Sequence, residues 1–273
     1  MSLSSVLSLF LSHLAIGIAL TLVTVSRQAG VKFFRLNAGL AAILLAIALA
    51  FRYGAFGPGV GAAQPGFWNG DIALVAAEGA LVVYWATVGR TLASIRPWLT
   101  GVAVGAGLLA VVAQSLAVVG GRGLPAQVLT IASFLSSAAL LGGACTAMIL
   151  GHWYLILPSM QVSHLQSIVK VHIASTLIRV VVVSAAVFVA IETWQPGLGP
   201  SFRRYITSVG GVFFWQRVLF GLGGPALLSY LTWETAKIRS TQSATGILYV
   251  DFFTVVVGEV LAKYLLLATR VPV

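Results

Sequence analysis

Runs of about twenty mainly apolar residues follow one another along this chain with few charges inside them, and that pattern decides what it can fold into. Each run is long enough to cross the ~30 Å hydrocarbon core of a bilayer as a helix rising about 1.5 Å per residue. Inside lipid every backbone N–H and C=O must be satisfied within the protein, which leaves helices or a closed barrel, and runs of this length are helical. The sequence predicts eight spans, at 4–25, 36–52, 71–90, 98–119, 126–151, 166–191, 206–233 and 243–269. The expected fold is therefore all-α, a polytopic transmembrane helix bundle that makes a single integral membrane domain of residues 1–273. Only 8% of the residues are charged, against roughly 25% in soluble domains, so little of the chain is left for a water-soluble catalytic domain.

The net charge of +10 does not imply a nucleic-acid partner, because the 16 basic residues are scattered and stand mostly at segment ends. That placement is a topology signal. Odd-numbered connections hold Arg27, Lys32, Arg35, Arg90, Arg96, Lys237 and Arg239, with Lys170 at the start of span six; even-numbered ones hold Arg52, Arg122, Arg203 and Arg204. The positive-inside rule then puts the odd connections in the cytoplasm and both termini outside, a bias that fits a prokaryotic inner membrane. The first segment has no basic leader or clear cleavage site and reads as a retained helix. The lone Cys145 excludes an internal disulfide and a cysteine-ligated metal centre. Two Gly/Pro-rich loops, 52–70 and 192–205, fall on the outer side and are where a docking partner is expected.

Histidines aside, the ionisable set read as buried within the spans is Glu78 in the third, Arg179 in the sixth, Arg217 in the seventh, and Asp251, Glu259 and Lys263 in the eighth. A charge at that depth costs about 2.5–3.5 kcal/mol on insertion scales, so such groups usually face the bundle interior or a water-filled path. Glu78, Arg217 and Glu259 fall at similar depth on different spans, either to pair or to form a quinone or proton site. Glu78 has no partner within a helical turn, and an unpaired buried carboxylate tends to bind a proton, which makes it the leading proton-handling candidate. A structural reading stands beside the functional one for the rest. Glu259 and Lys263 are four apart and can pair on one helix face. Arg217 can pin backbone carbonyls, while Asp251 and Arg179, nearer the ends of their spans, can snorkel to the interface.

The histidines raise a haem b alternative. His152 closes span five and His172 opens span six, both near the inner face, whereas His13 stands alone in span one. No thiolate pair, phosphate-cradling loop or metalloprotease-type run is present. The run Gly221-Leu222-Gly223-Gly224-Pro225 lies within an apolar span and reads as a kink or a close-packing point.

Eight spans in 273 residues, outer termini, a carboxylate in span three and a last span reading Val257-Gly258-Glu259-Val260-Leu261-Ala262-Lys263-Tyr264-Leu265 resemble the quinol-interacting membrane anchors of the NrfD/DmsC/PsrC type. The likeness covers the whole chain in topology and the last two spans in local sequence. Such anchors carry no redox cofactor of their own. They bind menaquinol or ubiquinol near the outer face and pass electrons to an iron–sulfur subunit docked there, which serves the catalytic subunit of the complex. The resemblance implies that Glu78 takes the quinol proton, that Arg217 stabilises the quinone oxygen or tunes the acid, that Glu259 corresponds to the family's last-span acid, and that Trp68 and Trp215 line the ring pocket. Three other classes remain open. One is a haem b anchor of a hydrogenase- or dehydrogenase-like complex, using His152 with His172 or His13 with an unseen ligand. Another is a secondary transporter coupled through Glu78, Asp251 and Glu259, although no internal repeat supports it. The last is a structural subunit whose buried charges only tie helices together.

Overall fold

The computed structural model describes residues 3–54, 68–89, 93–157, 160–193 and 201–273. The helices are α1 (Leu3–Leu22), α2 (Gly30–Arg52), α3 (Trp68–Thr87), α4 (Arg96–Val119), α5 (Leu124–Ile156), α6 (Val162–Glu192), the short α7 (Phe202–Ile206), α8 (Val212–Val218), α9 (Gly224–Lys237) and α10 (Thr241–Thr269). One π-helical turn, Leu219–Gly223, joins α8 to α9. Eight segments are long and apolar enough to cross a membrane, with α8, the π turn and α9 together making the seventh. The protein is thus an all-helical polytopic bundle, as the hydropathy requires, and no strand occurs among the described residues.

Several boundaries differ from the sequence reading, and the differences matter for the site. Helix α5 runs on to Ile156 and α6 begins at Val162, so the fifth connection shrinks to a few residues and His152 and His164 are helical. Arg179 is the eighteenth of 31 residues in α6, close to its middle and not near an end as expected. The tips of the two Gly/Pro-rich loops, 55–67 and 194–200, lie outside the described residues.

The helices form two groups that meet along one seam. Helices α1–α4 pack in sequence on one side, α6, α8, α9 and α10 pack on the other, and α5 touches both through α1, α4, α6 and α10. The seam is close because its residues are small: a methyl group at Gly17 would run into the Ala138 carbonyl, and one at Gly142 into the Gly17 backbone. Thr21 reinforces it, its hydroxyl 2.6 Å from that of Thr146 and 3.3 Å from the Gly142 carbonyl. This is how helices associate in lipid, where packing and short polar contacts replace a hydrophobic driving force.

Both chain ends belong to one face of the bundle, since Ser4 and Ser5 share a small cavity with Arg52, Val118 and Leu267. We refer to it as the terminal face. The opposite, basic face carries Arg27, Lys32, Arg35, Arg96, Lys237 and Arg239 at or near the helix ends.

The seam gives a test with opposite signs at two glycines. Gly142→Ala should lower stability by about 3 kcal/mol, the upper end of overpacking costs, because backbone blocks the added methyl. Gly246→Ala, where a Cβ meets open space, should raise it by about 0.5–1 kcal/mol. Unfolding midpoints in mild detergent will compare the two.

Candidate functional site

Helix α10 presents one continuous buried stripe: Asp251, Thr254, Val255, Gly258, Glu259, Ala262 and Lys263. The three- and four-residue spacing places these side chains on one face, so the helix carries its three ionisable groups inward together. Around Glu259 four other helices converge. Arg179 of α6 donates from Nε to Glu259 Oε1 at 2.9 Å and from Nη2 to Oε2 at 3.3 Å, a fork-on-carboxylate pairing. Arg217 of α8 donates from Nη2 to the same Oε1 at 2.9 Å. Ser137 of α5 donates to Oε2 at 2.5 Å and itself accepts from Lys263 Nζ at 2.7 Å. Lys263 Nζ stands 3.7 Å from Oε2 and 5.0 Å from the centre of the Phe134 ring. From α1, His13 brings Nδ1 to 3.4 Å from the Ser137 hydroxyl and sets its ring edge-on against Phe134.

The cluster is closed to solvent: Arg179, Arg217, Glu259 and His13 are fully buried, and Lys263 is 2% exposed. At about 1.5 Å per residue, these groups lie roughly 10–20 Å below the terminal face, in the middle of the membrane. Three cationic side chains surround one carboxylate, so the site carries an excess of positive charge. Ser137 links Lys263 to Glu259 through one hydroxyl, which accepts from the ammonium and donates to the carboxylate.

The reach of Arg217 depends on the π turn that follows it. Its guanidinium lies against Gly221, where any Cβ would collide with Nη1, and Gly221 itself touches Gly258 of α10 backbone to backbone. A π turn widens the helix by one residue and recurs at functional sites. Here it brings α9 onto α10 and leaves Arg217 Nε and Nη1 without hydrogen-bond partners although buried. The Gly-Pro run thus supplies both the irregular turn and the close approach.

A second buried pair lies deeper toward the basic face, where His172 Nε2 meets Asp251 Oδ2 at 2.6 Å with neither side chain exposed. Asp251 and Arg179 therefore do not snorkel. Each is held inside by a partner distant in sequence.

Other expected residues fall elsewhere. Glu78 shares the depth of the cluster but sits on α3, which packs against α2 and α4. It is half-buried with Oε2 unpartnered, and the expected grouping of Glu78 with Arg217 and Glu259 does not form. Trp215 is two residues from Arg217 and so points the other way: it is 52% exposed, and its indole donates to the Ile206 carbonyl at 3.0 Å. Trp68 opens α3, and its side chain lies outside what the structure describes. The residues do not fit a haem. His152 is exposed and pairs with Tyr249, whereas His172 pairs with Asp251; Tyr249 and Asp251 are about 200° apart around α10, so the two rings lie on different sides of it. His13 is wedged between Phe134 and Ser137 and borders neither a cavity of about 520 Å³ at the terminal face nor one of about 800 Å³ at the basic face.

One of those cavities, about 520 Å³, opens at the terminal face between α5, α6, α7 and the tail that follows α10. Phe202, Tyr205, Thr193, Arg122 and Arg270 line it together with Val271 and Pro272. The next residue, Val273, is buried, and its backbone oxygen accepts from Arg179 Nη2 at 3.3 Å. A single arginine thus connects the cavity wall to Glu259.

Comparison with protein-family models and with curated proteins finds no match to this chain. The site has to be read from its own chemistry.

Glu259→Gln should cost about 3–5 kcal/mol of stability, because it leaves Arg179, Arg217 and Lys263 buried without a counter-charge. Glu78→Gln, which removes no observed partner, should stay within about 0.5 kcal/mol of the wild type. Chemical unfolding of the two variants in the same detergent measures both.

Proposed function

We propose that this chain is a membrane anchor subunit of a respiratory oxidoreductase complex, exchanging electrons and protons between the quinone pool and an iron–sulfur partner. The observation that carries the reading is the terminal-face cavity and its connection to the buried charge cluster. Its volume falls within the ~300–1,000 Å³ of small-molecule sites. Its wall combines the rings of Phe202 and Tyr205 with two arginines, a fit to a flat aromatic headgroup bearing two oxygens. When bound, the quinone supplies the two-electron, two-proton chemistry.

The chain's own contribution is positional and electrostatic. Phe202 and Tyr205 hold the ring, and the Tyr205 hydroxyl serves as a hydrogen-bond donor to a ring oxygen. Arg122, which donates to the Arg270 carbonyl at 2.8 Å, keeps the tail folded over the cavity and sets positive charge at its rim. Arg179 and the positive excess around Glu259 favour loss of a proton from a bound hydroxyl group, and Ser137 connects Lys263 to the carboxylate. This moves the site from Glu78, Trp68 and Trp215 to the cavity beside α10. With the basic face in the cytoplasm of a prokaryotic inner membrane, the cavity opens outward, on the side where the iron–sulfur and catalytic subunits dock.

One observation favours a second reading. Both Glu259 oxygens are fully engaged within the protein, as they would be in a subunit whose charges only bind helices together. Titration of the purified protein with a fluorescent hydroxyquinoline N-oxide, a quinol analogue, separates the two. Saturable binding that weakens about tenfold or more (~1.4 kcal/mol) in Ala190→Trp, a cavity-wall substitution, and is unchanged in Glu78→Gln supports the quinone site. Absence of saturable binding, or equal binding by Ala190→Trp, would leave the structural reading.

A further inference from the structure

A cavity of about 800 Å³ opens at the basic face between α1–α2 and α3–α4. Its mouth carries Arg27, just before α2, and Arg96, the first residue of α4. Arg27 is exposed. Arg96 is half-buried; among the described residues its Nη2 reaches the Thr87 carbonyl, at 3.5 Å, and its Nε is buried without a partner. Tyr84 and Thr100 lie on the same wall.

No carboxylate of the chain answers these guanidinium groups. Of the six, Asp71 pairs with Arg52, Glu234 with Lys237, Asp251 with His172, and Glu259 with Arg179 and Arg217. Glu192 ends α6 at the terminal face, and Glu78 lies ten residues into α3 from that same face. An anion from outside the chain is required to neutralise the mouth.

The inner part of the cavity is apolar and has a particular shape. Gly101 and Gly105, one turn apart on α4, line it, and a Cβ on either would meet nothing within 4 Å. Leu22, Val31, Val88 and Val104 form the sides. The trough runs from Arg96 to Gly105, nine residues or roughly 14 Å along the helix. A cationic mouth at the interface above an uncovered apolar trough matches an anion joined to a hydrocarbon chain, whereas a free inorganic anion would leave the trough unfilled.

We propose that this cavity binds one anionic phospholipid of the basic-face leaflet, its phosphate between Arg27 and Arg96 and one acyl chain along Gly101 and Gly105. Basic pockets between helices on the cytoplasmic side are suited to acidic headgroups. The site is independent of the terminal-face cavity and of whether that cavity takes a quinone.

Native mass spectrometry of the full chain in mild detergent tests it, with phosphatidylglycerol, phosphatidylcholine of the same acyl chains, or inorganic phosphate added separately. One phosphatidylglycerol should be retained and phosphatidylcholine should not. Arg27→Gln and Arg96→Gln should each weaken retention about fivefold, the effect of one basic residue near a charged lipid surface. Gly105→Leu should displace the lipid by filling the trough, while the double variant Arg203→Gln/Arg204→Gln, on the opposite face, should retain it. Equal retention of both lipids, displacement of phosphatidylglycerol by inorganic phosphate, or wild-type retention by both arginine variants would overturn the assignment. Size-exclusion profiles and melting temperatures matching the wild type show that the two arginine variants are folded, so their result decides the matter even where Gly105→Leu fails to fold.

Discussion

Everything on one side of the bundle is arranged around the Glu259 carboxylate, an anion in the middle of a membrane whose oxygens are both held by arginine. Such a group is tolerated only when its desolvation is offset by well-aligned cations and hydrogen bonds. Meeting that condition fixes other parts of the structure. Helix α6 must be long enough to carry Arg179 to mid-membrane, and α5 must present Ser133 and Ser137 on the facing side, where Ser133 accepts from Arg179 Nη1 at 2.7 Å. The seventh span must depart from regular helix so that Arg217 fits against Gly221 and Gly258. The pairing thus specifies the rotation and depth of α6, α8 and α10 relative to one another, which apolar faces packed in lipid leave open.

The same cluster stands where the two helix groups meet. His13 reaches it from α1, across the Gly17–Gly142 contact, so the group α1–α4 contacts it through one imidazole. A change in protonation among His13, Lys263 and Glu259 would therefore be felt at the seam, and a shift at the seam would alter the surroundings of the carboxylate. On the other flank Arg179 reaches the backbone of Val273 beside the terminal-face cavity. The cluster links the tail beside the terminal-face cavity to the packing of the bundle through buried groups.

The number of spans and their helical nature were legible because hydropathy over twenty residues is a strong signal, and Lys and Arg at the helix ends marked one face as basic. The partners in the site were not legible. Arg179 and Glu259 are 80 residues apart, and a span that is apolar almost all round does not reveal which side of it faces inward. Arg179 is central both in the span read as 166–191 and in α6, which begins at Val162, so what the sequence hid was its buried partner and not its depth. Glu78 stands out by its depth and by having no partner within a helical turn, but lateral position decides whether two residues at one depth ever meet. A usable signal was present in α10, where Asp251, Glu259 and Lys263 recur at helical spacing on one side, and in the four-residue spacing of Ser133 and Ser137.

The distribution of the carboxylates ties the two ends of the bundle together. With six acidic residues against 16 Lys and Arg, the chain cannot neutralise itself, and it places two of its acids, Asp251 and Glu259, in the interior of the last span. That leaves most of the basic face without protein counter-ions. The positive-inside bias that orients the helices during insertion is therefore also an unmet electrostatic demand in the finished structure. It falls at the level of lipid phosphates, and at Arg27 and Arg96 it coincides with an open trough in the apolar surface. Three of the six acids, Asp71, Glu192 and Glu234, stand in first or last turns, and Asp251 and Glu259 answer buried partners in the interior, so Arg27 and Arg96 meet no protein carboxylate on the face that lipid phosphates can reach.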